Sequence, residues 1–431
     1  MTTVVSRPAA VLPPASLSRQ AAGRQVTVGS HPAADRAGSL DLSAARRILV
    51  VRPDNLGDVV LLTPALRALR DAAPADVRLD LLATPAGAAV VPLIDSVDDV
   101  VEVPSVSWQD ADDKAFDPDA HLALIRRLAA ARYDVAVLFT SYSQSPWPAA
   151  FICASAGIPV RVGASREFGG TLLTHWMDAL PDGQHQTDRA LALLSRFGVP
   201  TDHIDPRLVL KVPADAVAAV RRRLAALDPT SSGAGGGSDG ISTSGGPYAV
   251  LLPGATCSSR RYPEHRFAAV AGGLTDAGLR VVVAGTAREA ELVERVRRGT
   301  ERVALSPDRA GIGLAGELSL PELVALLRDA AVVVTNNSGG AHLADAVRAP
   351  VVVLYAGTER EAEYQPRSGP RVLLRRPTTC SPCRAFVCPY QHECLDIPPA
   401  EVAAAAAGLV SGLPARTPGA GSTGPARSAA R

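Results

Sequence analysis

Lysine is nearly absent from this chain, which carries only Lys114 and Lys211 among its 431 residues. Almost all positive charge is therefore arginine, so a phosphate-binding site would have to use arginine side chains or backbone amides. Aromatic residues are also scarce, at 4%, and the formal net charge is only +1. Such a balance argues against a nucleic-acid-binding protein that works through bulk electrostatic attraction.

Long apolar runs and export signals are missing as well. No segment approaches the roughly 20 apolar residues that cross a bilayer as a helix, and the N-terminal region lacks the apolar core of a secretory signal. We therefore expect a cytoplasmic protein. Because disulfides are rare in the cytoplasm, we do not expect the six cysteines to form a disulfide scaffold. We interpret Cys153 and Cys257 as ordinary thiols.

The length favours two domains, because a single hydrophobic core usually stops growing well below 431 residues. Residues 1–43 and 412–431 mix Pro, Ala, Ser and Gly without periodicity, which predicts disordered tails. The Gly/Ser-rich stretch at 228–246 has the composition of a flexible linker. These features place an N-terminal domain at 44–227 and a C-terminal domain at 247–411.

Short β-branched runs alternate with helical patterns on both sides of the linker. This alternation predicts parallel sheets whose two faces are covered by helices. We expect an α/β fold of two doubly wound, Rossmann-like domains facing each other across a cleft, although a pair of unrelated α/β domains would fit the same pattern. The predicted strands are 46–51, 77–83, 100–103, 135–139, 160–162, 248–252, 280–284, 331–335 and 351–355. The predicted helices include 59–73, 121–131, 264–277, 287–298, 320–330 and 340–346.

The most informative pattern lies at 47–64, where an apolar run breaks at Gly57-Asp58 and continues with helical spacing. In open α/β sheets ligands bind where strands end and helices begin, so Asp58 would lie at the mouth of a site. Asp58 is therefore our first candidate for chemistry. The alternative is that Asp58 only caps the helix that follows, since Asp is a favoured N-cap residue.

A second strand, turn and helix pattern covers 330–358. Here Ser338-Gly339-Gly340 opens a helix directly after an apolar strand, so backbone N–H groups and the helix dipole would attract an anion. The two glycines would also let a phosphate approach the backbone closely. A tight turn without any ligand is the alternative.

Together these segments resemble glycosyltransferase family 9, the ADP-heptose:lipopolysaccharide heptosyltransferases and their relatives. The first motif of that family, Asp-x-x-Gly-Asp-x-x-x-x-x-Pro, is present from Asp54 to Pro64. The second motif, Asp-Ser/Thr-Gly-x-x-His-Leu-Ala, is present with Asn337 in place of its Asp. The resemblance spans about residues 46–411 and also includes the segments 253–256, 260–263 and 380–394.

The resemblance implies a GT-B fold and an inverting, metal-independent transfer of a sugar from a nucleotide diphosphate, with ADP-heptose as the family donor. Asp58 would be the base that deprotonates the acceptor hydroxyl, and Gly57 would form the turn. The acceptor would be a glycan or a lipid-linked glycan, as in lipopolysaccharide core biosynthesis, with peripheral contact at the inner face of the cell membrane. No cofactor is required, and nucleic acid is not expected as a partner.

The donor site implied by the resemblance lies in the C-terminal domain. Arg260 or Arg261 would bind the diphosphate, and one sequence does not distinguish between them. Thr256 would donate a hydroxyl hydrogen bond to phosphate. The other donor-site candidates come from the second motif: Asn337, Ser338, Gly339, Gly340 and His342.

Three candidates have specific alternatives. We expect His342 to be a neutral hydrogen-bonding or packing group, because the dipole at a helix N-terminus disfavours its protonation. Asn337 can still bond sugar hydroxyls but carries no charge, so this departure bears on the identity of the sugar; alternatively it only shapes the turn. Glu289 is either a ribose ligand or an exposed helix carboxylate.

Four cysteines close to the C-terminus, Cys380, Cys383, Cys388 and Cys394, have the spacing Cys-x2-Cys-x4-Cys-x5-Cys. Four thiols this close could hold one tetrahedral structural zinc, although the second half lacks the usual Cys-x2-Cys spacing. Reduced thiols in a loop are the alternative.

Two other function classes fit parts of the sequence. A nucleotide-sugar epimerase would use the same architecture without an acceptor. A non-catalytic protein that binds a sugar nucleotide or a metal would fit Asn337 and the cysteine segment.

Overall fold

A computed structural model of the chain describes residues 38–103, 115–142, 144–167, 169–178, 180, 182–227, 246–301 and 311–412. The predicted tails fall outside these residues from 1 to 37 and from 413 to 431, as does 228–245 of the predicted linker. The domain boundaries therefore stay a prediction. None of the helices in the described ranges combines the length and the hydropathy that a bilayer crossing requires.

Twelve strands occur in the described residues. They are β1 (Arg47–Val51), β2 (Arg78–Ala83), β3 (Asp99–Glu102), β4 (Val135–Leu138), β5 (Val160–Ala164), β6 (His175–Met177), β7 (Tyr248–Leu252), β8 (Arg280–Gly285), β9 (Ile312–Ala315), β10 (Val332–Asn336), β11 (Val351–Leu354) and β12 (Arg371–Leu374).

Thirteen α-helices connect and cover these strands in the same ranges. They are α1 (Leu56–Val60), α2 (Thr63–Ala72), α3 (Pro85–Ala88), α4 (Pro118–Ala131), α5 (Trp147–Ser155), α6 (Gln186–Arg196), α7 (Ala214–Ala226), α8 (Glu264–Asp276), α9 (Ala290–Glu301), α10 (Leu320–Asp329), α11 (Gly339–Ala346), α12 (Glu361–Tyr364) and α13 (Pro399–Ser411).

The strands form two six-stranded sheets with the same topology. The N-terminal sheet has the order β3-β2-β1-β4-β5-β6, and the C-terminal sheet has the order β12-β11-β10-β7-β8-β9. All pairings, from β1 with β2 to β8 with β9, are parallel. Both orders are the doubly wound 3-2-1-4-5-6 arrangement, which confirms the predicted pair of Rossmann-like sheets.

Central strands are buried on both faces because helices cover both sides of each sheet. β4 and β11 are uninterrupted apolar runs that are buried at every position. This is the composition expected of parallel strands that never meet solvent. The largest apolar cluster includes side chains from both sheets, such as Val50 of β1 and Val333 of β10, so the two halves are continuous through their cores.

The structure differs from the predicted elements in local ways. The helix predicted at 59–73 is divided into α1 and α2, since Leu61 and Leu62 separate them and Pro64 lies in the first turn of α2. The outer strands β6, β9 and β12 were not predicted; unlike the equally short β4 and β11, they are partly exposed and lack an uninterrupted buried apolar run. Leu40 and Leu42, in the predicted tail, are buried in the core, and the backbone N–H of Leu40 donates to Phe197.

Candidate active site

The predicted site residues follow strands at the two points where strand order reverses. In the N-terminal sheet, the loops after β1 and β4 border the crevice between these neighbouring strands. In the C-terminal sheet, the loops after β7 and β10 have the equivalent position. Such topological switch points are where doubly wound sheets bind their ligands.

A buried arginine organises the loop after β1. Arg52 is 2% exposed and lies at the end of this apolar strand. Its Nε is 2.8 Å from Asp54 Oδ2, and its Nη2 is 3.0 Å from Asp58 Oδ1. The same Nη2 donates to Ser141 Oγ at 2.7 Å, so the loop after β4 joins the network. Arg52 therefore holds the predicted base in a defined position.

Asp58 is not the N-cap of its helix. The N-cap is Asn55, and Asp58 is the third residue of α1, within the first turn. The capping alternative is therefore wrong. The side chain of Asp58 is 21% exposed, whereas that of Asp54 is only 6% exposed. Of the two carboxylates on Arg52, the one on Asp58 is the more accessible to a substrate.

Asp54 has an unusual electrostatic environment. Burial raises its pKa to about 6, and the negative charge of Asp58 adds to this shift. The guanidinium of Arg52 and a 2.5 Å hydrogen bond from Gln144 Nε2 oppose the increase in pKa. Arg52 and Asp54 were not among the predicted site residues, although a charged residue at the end of an apolar strand is a recognisable signal in the sequence.

The loops of the two motifs touch each other. A Cβ atom placed on Gly57 would lie 2.8 Å from Cδ2 of His342 and 3.1 Å from Cα of Gly339. Only a residue without a side chain allows this approach of α1 to α11. The candidate base and the N-terminus of α11 therefore border the same narrow space.

His342 lies within this contact. It is 8% exposed, and burial lowers its pKa, with the nearby carboxylates of Asp58 and Asp345 acting in the opposite direction. Within the described part of the chain, no hydrogen-bond partner faces its buried Nδ1 atom. A neutral imidazole with a free ring nitrogen can accept or donate one hydrogen bond to a ligand.

The other small residues of the second motif have different surroundings. A Cβ on Gly340 would lie 2.6 Å from Cδ1 of Leu252, so this glycine is required for packing beneath the loop. Ser338 is the N-cap residue of α11 and is partly exposed. Thr256 is exposed on the loop after β7. Of this set, Ser338 and Thr256 have their side chains accessible.

Arg260 and Asn337 both contact the carboxylate of Glu359, which was not among the predicted site residues. Arg260 forms an ion pair with Glu359, whose side chain is 12% exposed. Asn337 donates from Nδ2 to Glu359 Oε2 at 3.0 Å and accepts at Oδ1 from the backbone N–H of Ala356 at 3.0 Å. Thr358 Oγ1 also donates to Glu359 Oε2, at 2.5 Å.

Arg261 points in a different direction from this cluster. Its side chain is exposed, and its Nε donates to the carbonyl of Ala255 at 2.9 Å. Buried Asn336 connects the two loops, because its Oδ1 accepts from the backbone N–H of Tyr262 and its Nδ2 donates to the carbonyl of Pro253. Asn336 therefore fixes the position of the arginine loop relative to β10.

Glu289 caps a short helical turn. Its carboxylate accepts from the backbone N–H of Thr286 at 2.8 Å and from the Thr286 hydroxyl at 2.9 Å. This reciprocal arrangement is a capping box. The structure thus gives Glu289 a local role at the edge of the C-terminal sheet.

A small pocket with a cavity volume of about 10 Å³ lies beside Asp58 on the N-terminal side. Its polar lining includes Arg52, Gln186 and Arg189, and Arg189 also lies over the ring of Tyr142 at 4.0 Å. Leu61, Leu62, Leu138, Leu180 and Leu193 line its apolar side. The pocket places two guanidinium groups near the candidate base.

The four cysteines of the C-terminal segment all lie in the described residues, in and next to the loop after β12. Among the described residues, no group of three or more Cys, His, Asp or Glu side chains is arranged to hold a metal ion. Cys380 and Cys383 are exposed, Cys388 is partly exposed and Cys394 is buried. The structural zinc and the reduced thiols both stay predictions.

Comparisons with known proteins place this geometry in a family. The profile described as glycosyltransferase family 9 (heptosyltransferase) matches residues 121–393. Lipopolysaccharide heptosyltransferase 3 of Escherichia coli is 25% identical over 311 residues, covering 70% of this chain and 80% of the relative. Lipopolysaccharide heptosyltransferase 1 of Pseudomonas aeruginosa is 24% identical over 346 residues, covering 80% and 88%.

Solved structures share the fold. ADP-heptose lps heptosyltransferase II of E. coli superposes with a TM-score of 0.64 at 23% identity, covering 85% of this chain and 98% of that one. A family 9 glycosyltransferase from Veillonella parvula gives a TM-score of 0.67 at 19% identity, with coverages of 87% and 99%. The fold is GT-B, as expected. The chain belongs to glycosyltransferase family 9 and is a glycosyltransferase.

Proposed function

We propose that this enzyme catalyses an inverting, metal-independent transfer of a sugar from ADP-heptose to a glycan or glycolipid acceptor, as in lipopolysaccharide core biosynthesis. The observation that carries the proposal is the Asp58 carboxylate, fixed by buried Arg52 beside the contact between Gly57 and His342. The similar proteins, which include lipopolysaccharide heptosyltransferases and an ADP-heptose heptosyltransferase, support the donor and the acceptor class.

In this proposal Asp58 takes the proton of the acceptor hydroxyl as that oxygen attacks the anomeric carbon. The bond to the leaving diphosphate breaks as the new glycosidic bond forms on the opposite face, which inverts the anomeric configuration. Asp58 must come within about 3 Å of the hydroxyl in the reacting complex.

The leaving diphosphate would be stabilised by Arg260 and the N-terminus of α11. Arg260 is assigned over Arg261 because its guanidinium lies at the Asn337 loop, whereas Arg261 folds back onto Ala255. A guanidinium and backbone N–H groups at a helix N-terminus can supply the charge stabilisation that a divalent cation supplies elsewhere. His342 would give a neutral hydrogen bond, with Thr256 and Ser338 as hydroxyl donors.

Peripheral contact with the membrane that carries a lipid-linked acceptor belongs to the same proposal. Phe116, Leu122 and Phe151, on or next to α4 and α5 of the N-terminal half, are 64%, 46% and 58% exposed. Exposed side chains of this size are suited to the interfacial region of a bilayer. Co-sedimentation with anionic phospholipid vesicles should decrease in Phe151→Ser; equal sedimentation of both proteins would contradict this part.

Calorimetric titration with ADP, GDP and UDP tests the donor site. We expect selective binding of ADP that is weakened about tenfold or more by Arg260→Ala and changed little by Arg261→Ala, which is the matched control. Transfer from ADP-heptose should continue in the presence of EDTA. Binding of none of the three nucleotides would overturn the proposal, and isomerisation of the donor without an acceptor would identify an epimerase instead.

A further inference from the structure

Glu359 makes more polar contacts than a solvent-exposed carboxylate usually does. Glu359 follows β11, and its side chain is 12% exposed between three donors: Arg260, Asn337 and Thr358. A carboxylate with two hydrogen bonds and an ion pair is held in one orientation. This orientation places it at the carboxyl edge of the C-terminal sheet, next to the loop of the second motif.

Asn337 and Glu359 fit together only because one of them is neutral. Asn337 donates to Glu359 over 3.0 Å, which an ionised Asp at position 337 could not do. Two carboxylates at that separation repel each other and do not both stay ionised. The Asn at the position where the family motif has Asp is thus coupled to the presence of a carboxylate at 359.

Glu359 and a bound diphosphate would compete for the guanidinium of Arg260. The guanidinium that the proposed function assigns to the diphosphate is paired with Glu359 in this structure. A diphosphate at Arg260 would lie beside the Glu359 carboxylate, so like-charge repulsion would favour release of that ion pair. The released carboxylate would keep its hydrogen bonds from Asn337 and Thr358 and have free acceptor capacity.

We infer that Glu359 is a specificity-determining residue of the donor site. When the nucleotide diphosphate binds Arg260, the carboxylate of Glu359 leaves that ion pair and accepts hydrogen bonds from the hydroxyl groups of the donor sugar. The inference rests on the proposed function and adds to it the side chain that recognises the sugar. Hydroxyl groups donate to a carboxylate in charge-assisted hydrogen bonds, so a polyhydroxylated sugar is the matching ligand. Glu359 thereby supplies the negative charge that Asn337 lacks.

The test compares binding of ADP and of ADP-heptose to wild type, Glu359→Gln and Glu361→Gln. Glu361 is the matched control, since it is two residues away and pairs with Arg375 at 2.7 Å. Glu359→Gln removes the competitor for Arg260, so ADP should bind about three- to tenfold more tightly. The affinity of ADP-heptose relative to ADP should nevertheless fall about tenfold, and Glu361→Gln should change neither quantity.

A charge exchange separates sugar recognition from a purely structural role. Asn337→Asp/Glu359→Gln returns the carboxylate to position 337 and should recover the relative affinity for ADP-heptose to within about threefold of wild type. Thermal unfolding of each variant would check that it folds. An unchanged relative affinity in Glu359→Gln would overturn the inference alone, whereas a wild type that binds no ADP would overturn the proposed function and this inference together.

Discussion

At the scale of single residues, the site depends on a buried guanidinium shared by two carboxylates. Removing Arg52 from water is costly unless its charge is paired, and Asp54 and Asp58 provide that pairing at 2.8 and 3.0 Å. The two carboxylates differ in accessibility, and this difference separates their roles. Asp54 stabilises Arg52, while Asp58 faces the pocket.

Asp58→Asn should abolish most transfer while leaving ADP affinity nearly unchanged. An amide cannot take the proton of the acceptor, and loss of a general base lowers kcat by about 10²–10⁴-fold. Steady-state kinetics with ADP-heptose and calorimetry with ADP would measure the two effects. Asp71→Asn, which removes a carboxylate that is 52% exposed, should leave both unaffected. A large loss of ADP affinity in Asp58→Asn would contradict an acceptor-side base.

Asp54→Asn should change how stability depends on pH. Burial raises the pKa of Asp54 to about 6, so the folded protein binds a proton there that the unfolded chain has already lost. The contribution of this group is therefore present below about pH 4 and decreases as pH rises through 6. Relative to wild type, the variant should gain about 2–8 °C in Tm between pH 4.5 and 7.5. A constant difference in Tm would contradict the raised pKa.

At the scale of elements, the contact between α1 and α11 brings the two motifs together. Helix α1 follows β1 and helix α11 follows β10, each after a short loop, so the two sheets set the positions of both helix N-termini. Gly57 then decides how closely they approach, because a side chain there would collide with His342. The separation between the candidate base Asp58 and the loop of the second motif is therefore set by these two helices.

Gly57→Ala should force α1 and α11 apart. An added methyl group would lie 2.8 Å from His342 and 3.1 Å from Gly339, and overpacking of this kind costs about 1–3 kcal/mol. We expect kcat/KM to fall at least about tenfold, because small displacements between reacting groups are costly. Gly408→Ala is the control, since no atom of the described residues outside its own helix backbone and chain neighbours lies within 4 Å of its added Cβ. Equal activity of the two variants would contradict the importance of this approach.

At the scale of the whole molecule, polar contacts join the two halves near α6. Arg367 pairs with Asp188 through two bonds of 2.8 and 3.1 Å, and Gln186 Nε2 donates to the Tyr364 hydroxyl at 2.9 Å. Buried His185 accepts at Nδ1 from the backbone N–H of Thr187, which leaves Nε2–H to donate to the carbonyl of Gln365 at 3.0 Å. These contacts hold the halves in one arrangement.

Acidification should weaken this junction through His185. Burial lowers its pKa to about 3, and the positive charge of Arg367 contributes to the shift. Between about pH 6.5 and 3 the unfolded chain binds a proton that the folded protein excludes, so stability falls as pH decreases. His185→Asn removes this titration, and its Tm should fall less than that of wild type from pH 7 to 4.5. Parallel curves for the two proteins would contradict a neutral His185.

The local sequence pattern was sufficient to predict the class of fold and to identify the two motifs. Alternating runs predicted most strands, since buried parallel strands and covering helices have distinct periodicities. Asp58 and the Asn337 loop were identified because each lies near the point where an apolar strand is followed by a helix. The outer strands were missed because they are partly exposed and lack a continuous buried apolar run. The break between α1 and α2 was missed because the apolar spacing continues across it.

Only the tertiary structure decided which side chains meet. Arg260 and Glu359 are 99 positions apart, and Arg52 and Ser141 are 89 positions apart, so no local pattern links them. The order of the strands brings these loops to one edge of each sheet, and the contact between α1 and α11 brings the two edges together. The sequence by itself determined the strands, helices and reactive residue types, because those follow from neighbours along the chain. The partners of each charge were decided by packing, because burial requires charges to be paired wherever the fold brings them together.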